Sequence, residues 1–232
     1  MKFTKSLIKG KLVKRYKRFF TDIKLNQETI VAHCPNTGSM MGLLDEGNEV
    51  FVSKNDDPKR KLKYTLEIIK VKKNLVGVNT HFANKIAFHG LSNNLIKEVK
   101  NRNNIKPEVF FDKETRFDFF VQKHKQKKFV EVKNVTLFRD KKIAEFPDSI
   151  TSRGSKHLKT LITAIKKGYK SYLLFLVQIQ GVESFKIAKD IDKEYYENYL
   201  LAKKAGVKFL AYRCKINSKE IKIEKKIKII ND

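Results

Sequence analysis

Glu131-Val132-Lys133 sets a carboxylate and an ammonium two residues apart inside a run, Phe129–Val135, that otherwise reads as a strand. Strand side chains alternate between faces, so Glu131 and Lys133 share one side, about 7 Å apart, while Val130 and Val132 take the other. A carboxylate followed two positions on by lysine is the core of one widespread nuclease site. Spacing alone is a weak signal, because seven Asp/Glu-x-Lys triplets occur in this chain. Context separates this one: it directly follows an acidic strand, Arg116-Phe117-Asp118-Phe119-Phe120-Val121. If the two strands pair so that opposed residue numbers sum to an odd value, Asp118 joins Glu131 and Lys133. Opposed like charges with Cβ atoms ~5 Å apart destabilise a strand pair, which calls for a cation between them or a shifted pKa. Hard Mg²⁺ or Mn²⁺ suits such an all-oxygen site. A metal on Asp118 and Glu131 would lower the pKa of a bound water, and Lys133 would hold that water and offset developing charge. Glu108, in Pro107-Glu108-Val109, completes the ligand set or serves a second ion. The same pattern also suits a plain surface sheet whose acids each pair with a Lys or Arg.

Phosphate contacts would come from flanking segments. Phe146–Leu158 enters a helix and brings Arg153, Lys156 and His157 to its amino end, where free amides favour anions. Ser152 is the expected helix cap, with the role of Asp148 open. Near the N-terminus, Arg15, Tyr16, Lys17, Arg18 and Phe19 interleave cations with aromatics, as a strand that tracks phosphates and stacks bases needs. Asn36-Thr37-Gly38-Ser39 offers amides and hydroxyls on a tight loop, suited to a phosphate or simply to a turn, and Arg60 and Lys61 extend the track. Arg116 belongs to the acidic strand itself. Only eight of the 51 cations are Arg, and five of these lie in the segments just named. Readout of base edges is not visible, so the expected partner is DNA held mainly through phosphate, single- or double-stranded, with RNA not excluded.

The elements that must position these residues can be read from periodicity. Up to about residue 82 the chain shows short strands (Lys11–Phe20, Thr29–His33, Glu49–Ser53, Leu62–Ile68 and Leu75–Asn79) separated by turn-rich segments. Five strands in this length suit a small closed barrel, OB-like in preference to SH3-like. Ala83–Asn101 reads as an interrupted helical junction. Strands follow at Lys106–Phe111, Arg116–Gln122 and Lys128–Val135, then a helix over about 153–167, strand Tyr172–Gln178, a helix from Asp192 to Gly206, and strand Val207–Tyr212. Ile216–Ile230 alternates like a terminal hairpin or a solvated tail. The expected class is α/β, α+β overall, with a barrel domain at 1–82 and a domain built on a mixed sheet at 83–232. The formal net charge of +26 favours polyanions. The longest apolar stretch, Tyr172–Val177, is far short of the ~20 residues a membrane helix needs. The basic N-terminal segment lacks the apolar core and cleavage site of a secretory signal, so no membrane partner and a cytoplasmic location are expected. Cys34 and Cys214 match neither a disulfide framework nor a zinc site.

With these segments in view, the chain resembles the sugar fermentation stimulation protein (SfsA) family along nearly its whole length. The resemblance is carried by 10–23 (GKLVKRYKRFFTDI), 32–40 (AHCPNTGSM), 60–67 (RKLKYTLE), 116–119 (RFDF), 129–137 (FVEVKNVTL) and 146–158 (FPDSITSRGSKHL). It implies an OB-like barrel joined to a PD-(D/E)XK nuclease-like α/β domain, in which Asp118 matches the acidic residue of the second strand and Glu131 and Lys133 match the (D/E)XK element. It also implies DNA binding, with a proposed link to regulation of sugar metabolism. Many relatives of that nuclease fold only bind. The two functional expectations are therefore a Mg²⁺- or Mn²⁺-dependent deoxyribonuclease and a non-catalytic DNA-binding regulator on the same scaffold.

Overall fold

A computed structural model of the chain describes residues 1–100, 104–140 and 142–230. The first six strands are β1 (Ile8–Tyr16), β2 (Phe20–Leu25), β3 (Glu28–His33), β4 (Glu49–Lys54), β5 (Tyr64–Val71) and β6 (Asn74–Gly77). They follow the order β3-β2-β1-β4-β5-β6, and parallel pairing of β3 with β5 through Ala32 and His33 closes the first five into a barrel. Closure removes the exposed edges that an open sheet would leave. The run read as one strand, Lys11–Phe20, is broken: Lys17 and Arg18 adopt φ of 47° and 62° and turn the chain from β1 into β2. Gly10 sits where β1 crosses β2 at close range; a Cβ there would lie 2.6 Å from Leu25 and 2.9 Å from the Lys24 carbonyl oxygen. Leu12, Ile23, Val50, Val52 and Leu66 fill the barrel.

Next come α1 (Ala83–Ser92), a 3₁₀ turn at Lys97–Val99, and strands β7 (Ile105–Phe110), β8 (Arg116–Lys123) and β9 (Gln126–Val135). Asn101, the last residue of the expected helical junction, lies outside the described residues. The chain continues through β10 (Leu137–Asp140), β11 (Ile143–Phe146), α2 (Ser152–Lys166), β12 (Lys170–Val177), β13 (Ser184–Ile187), α3 (Lys193–Lys204), β14 (Lys208–Ile216), β15 (Ile221–Lys226) and β16 (Lys228–Ile229). Six of these strands form a mixed sheet, β15-β14-β12-β9-β8-β7, with β9, β12 and β14 parallel at its centre. Its alternating side chains feed two cores. Val130, Val132, Leu174 and Leu176 join Ile86 and Ala87 of α1, whereas Phe129, Leu173 and Phe175 join Leu158 and Leu161 of α2. Glu131 and Lys133 therefore alternate away from α1 toward the α2 layer.

A second small sheet, β10-β11-β13-β16, is not anticipated by sequence periodicity, because its strands have only two to four residues. The expected terminal hairpin is only half right: β15 pairs antiparallel with β14, but Lys228 and Ile229 leave it to pair parallel with β13. The barrel is stitched to the mixed-sheet domain by backbone hydrogen bonds, Gly77 N–H to Gln178 O at 2.9 Å and Gln180 N–H to Leu75 O at 2.9 Å. The loop before α2 adds a polar link, with Ser39 Oγ donating to the Asp148 carbonyl at 2.7 Å. No helix among the described residues is long and apolar enough to cross a membrane.

Candidate active site

The hairpin of β8 and β9 pairs Phe119 with Val130, Phe120 with Phe129 and Val121 with Lys128, which is the odd-sum register and puts Asp118 level with Glu131. The ladder stops at Phe119–Val130, and the next amide, Val132 N–H, donates to Asp118 Oδ2 at 2.7 Å. The second oxygen, Oδ1, accepts from Asn84 Nδ2 at 2.7 Å, so α1 reaches into the gap between the separating strands. Burial and the neighbouring Glu131 charge push the Asp118 carboxyl up to about 6.

Glu131 is almost fully buried. Its Oε1 accepts from Lys133 Nζ at 2.8 Å and is in close contact with His157 Nδ1. Burial raises its pKa, but Lys133 and His157 outweigh that and hold the carboxyl below its ordinary value. The Arg153 Nε–H reaches His157 Nε2 at 3.5 Å. On its other side the ring's Nδ1 also lies 3.4 Å from Lys133 Nζ. The remaining oxygen, Glu131 Oε2, is buried and has no hydrogen-bond partner. An orphaned carboxylate oxygen in a dry setting is costly. A divalent cation held between Glu131 and Asp118 would answer both that vacancy of partners and the strained ionisation of Asp118. Among the described residues no group of three or more His, Cys, Asp or Glu side chains is arranged as a metal cluster, so any ion here would draw the rest of its oxygen ligands from water or substrate.

Glu108 stands on β7 between Pro107 and Val109, which pair with Phe119 and Phe117, so it is level with Asp118 across the next strand gap. Its φ is 55°. Its carboxylate takes Arg116 Nε at 2.8 Å and lies 3.4 Å from the Asn84 amide. Asn84 thus spans Glu108 and Asp118; nothing in its sequence neighbourhood marks it, because the contact is made across 34 residues. An open cleft of about 680 Å³ runs along this row and is bordered by Arg116, Arg153, Lys156 and His157. Lys156 also pairs with Glu114 at 2.8 Å. Thr151, not Ser152, caps α2, accepting from Gly154 N–H at 3.0 Å. Its own N–H is held by Asp192, which caps α3 as well, and the buried Asp192 carboxylate thereby fixes both helix starts.

The barrel residues divide. Arg15 is spent on its own loop, donating to the Arg18 carbonyl at 3.0 Å and the Asn36 carbonyl at 2.7 Å. Tyr16 stacks on Phe20 at 5.5 Å. Lys17, Arg18 and Phe19 project exposed from the turn. Asn36 is buried and its side chain accepts from Gly38 N–H at 2.9 Å, which is the turn arrangement. Arg60 reaches Thr65 Oγ1 at 3.5 Å, and Lys61 is exposed beside it.

The family model described as "SfsA N-terminal OB domain" matches residues 13–78, and that described as "Sugar fermentation stimulation protein RE domain" matches residues 81–220. The chain belongs to the sugar fermentation stimulation protein family. It is 83% identical to a sugar fermentation stimulation protein homolog of Pelagibacter ubique (strain HTCC1062), over 100% of both chains. A homolog from Pseudoalteromonas atlantica (strain T6c / ATCC BAA-1087) is 44% identical over 99% of this chain and 100% of its own. Among solved structures, SfsA of Pyrococcus furiosus in complex with Ca²⁺ superposes with a TM-score of 0.87 at 22% identity, covering 100% of this chain and 98% of that one. This SfsA-family chain therefore has an N-terminal OB barrel of five closed strands followed by an α/β domain with mixed sheets.

Proposed function

We propose that this SfsA-family protein is a divalent-metal-dependent deoxyribonuclease, with residues 1–82 holding DNA and residues 83–232, a PD-(D/E)XK nuclease-like domain, cutting it. The observation that carries the reading is the buried, unpartnered Glu131 Oε2 one strand away from an Asp118 whose ionisation is resisted. Asp118 and Glu131 are the residues to hold Mg²⁺ or Mn²⁺, and that the Pyrococcus furiosus relative was solved in complex with Ca²⁺ is in keeping with divalent-ion binding. The bound ion would supply a water of lowered pKa and withdraw charge from the scissile phosphate.

The chain's own groups do the rest. Lys133 Nζ, already 2.8 Å from Glu131, orients the attacking water and stabilises charge that develops on phosphate oxygens. His157, through the contact of its Nδ1 with Oε1, holds Glu131 in place. Asn84 orients Asp118 and checks Glu108. Arg116, Arg153 and Lys156 along the cleft bind flanking phosphates. A cytoplasmic location goes with this reading.

One observation favours the second reading, a DNA-binding regulator without turnover: Glu131 Oε1 is already satisfied by Lys133 and His157, a self-sufficient arrangement for a scaffold that only binds. Incubation of labelled single- and double-stranded DNA with Mg²⁺ or Mn²⁺ separates the two. Cleavage by the natural chain that falls by about 10²–10³ in Asp118→Ala and Lys133→Ala supports the nuclease. Binding with no cleavage supports the regulator, and stronger binding of competing RNA than of DNA would redirect both.

A further inference from the structure

The carboxylate row has two unlike flanks. On one side lies the polar cleft where Arg116, Arg153 and Lys156 stand beside Glu108, Glu114 and Asp118. On the other, between α1 and β7, lies a separate, mostly apolar hollow of about 360 Å³ lined by Phe88, Pro107 and Phe119 and bordered by Lys85, Glu108 and Asp118. Phe88 keeps 42% of its surface exposed although its ring stacks at 29° on that of buried Phe119, 6.2 Å away. An exposed aromatic ring backed by a buried one is a rigid platform with one face open. Lys85 belongs to a second hollow as well, the one lined by Lys2, Lys54 and Arg60 at the barrel, so a cationic route leads from the apolar slot to the OB domain.

We propose that the slot seats one unpaired nucleobase on Phe88 beside the carboxylate row, making the substrate single-stranded or frayed DNA. The inference rests on the nuclease reading for the identity of the phosphate next door. A nucleotide joins a flat apolar base to an anionic phosphate, which matches an apolar slot with Arg153 of the cleft on one side and Lys85 on the other. A second phosphate would be repelled by Glu108 and Asp118. A base inside a duplex is stacked on both faces and offers only its edge, so only an unstacked base can lie on the ring. From the slot, the strand runs past Lys85 onto the barrel cations.

The test uses the full chain in Ca²⁺ and single-stranded oligonucleotides that carry 2-aminopurine at successive positions. Quenching at one position is expected, with affinity about 5- to 150-fold weaker in Phe88→Ala and recovered in Phe88→Trp. Duplex affinity should change less than about 2-fold. An abasic site at the quenched position should weaken binding to the natural protein equally, and Phe88→Ala should add nothing further. The abasic scan on the natural protein needs no variant and stands even if one fails to fold. Unchanged single-strand affinity in Phe88→Ala, an equal loss on duplex, or an abasic scan without position dependence would overturn the slot. Its fate is separable from that of the nuclease: position-specific stacking without cleavage in Mn²⁺ keeps the slot and removes the enzyme, whereas cleavage indifferent to Phe88 does the reverse.

Discussion

Asp118 accepts the backbone N–H of Val132 at 2.7 Å, so a carboxylate replaces the missing rung where β8 and β9 part. The same side chain is asked to join two strands and to carry charge in a mostly buried position beside Glu131, and its pKa near 6 is the result of that conflict.

Without metal, ionising Asp118 opposes folding. Its folded pKa lies above the unfolded value of 3.8, so the native state holds the extra proton between about pH 4 and 6 and this group's contribution to stability falls as pH rises through that window. Asp118→Asn should remove that slope and raise stability in chelator at pH 7 by up to about 3 kcal/mol, read from urea unfolding across pH. Asp118→Ala should do the opposite, because it leaves Val132 N–H and Asn84 without an acceptor. Divalent ions should stabilise the natural chain above pH 6 and neither variant.

Lys133 and His157 together keep Glu131 ionised in a buried position. Lys133→Met should destabilise the metal-free chain by about 3–5 kcal/mol at neutral pH, the cost of leaving a buried charge unpaired. The loss should shrink as pH falls, since the abandoned carboxyl then protonates. His157→Gln, which keeps a donor, should cost less than His157→Ala. Unfolding curves at pH 5 and 8 check both.

Gly10→Ala should weaken the barrel. Its methyl would press on Leu25, Ile23 and a backbone oxygen, all within 2.9 Å, and two strands would have to part. A loss of about 1–3 kcal/mol in thermal unfolding is expected, without change in the geometry around Glu131.

DNA affinity should fall steeply with salt, and Arg153→Ala and Lys156→Ala should each lower the slope of log K against log[salt] by about 1 if each meets one phosphate. Lys156→Ala also frees Glu114, so it should show the larger loss in affinity. Fluorescence titration at several salt concentrations measures both.

Alternation alone separates Glu131 and Lys133 from Val130 and Val132, and turn residues between apolar runs mark out most strands and both long helices; these are local patterns that a chain carries wherever it folds. Charge and the sign of the expected partner are likewise properties of composition. Contacts between distant segments are of another kind. Asn84 meets Asp118, Asp192 holds the start of α2, Asp148 faces the barrel loop at Gly38 and Met40, and Lys228 and Ile229 abandon their hairpin for β13. No spacing encodes such meetings, because they depend on which surfaces the sheet brings together. Even the odd-sum register was one of two that the residues allow, and it was packing of the β9 faces against α1 and α2 that selected it.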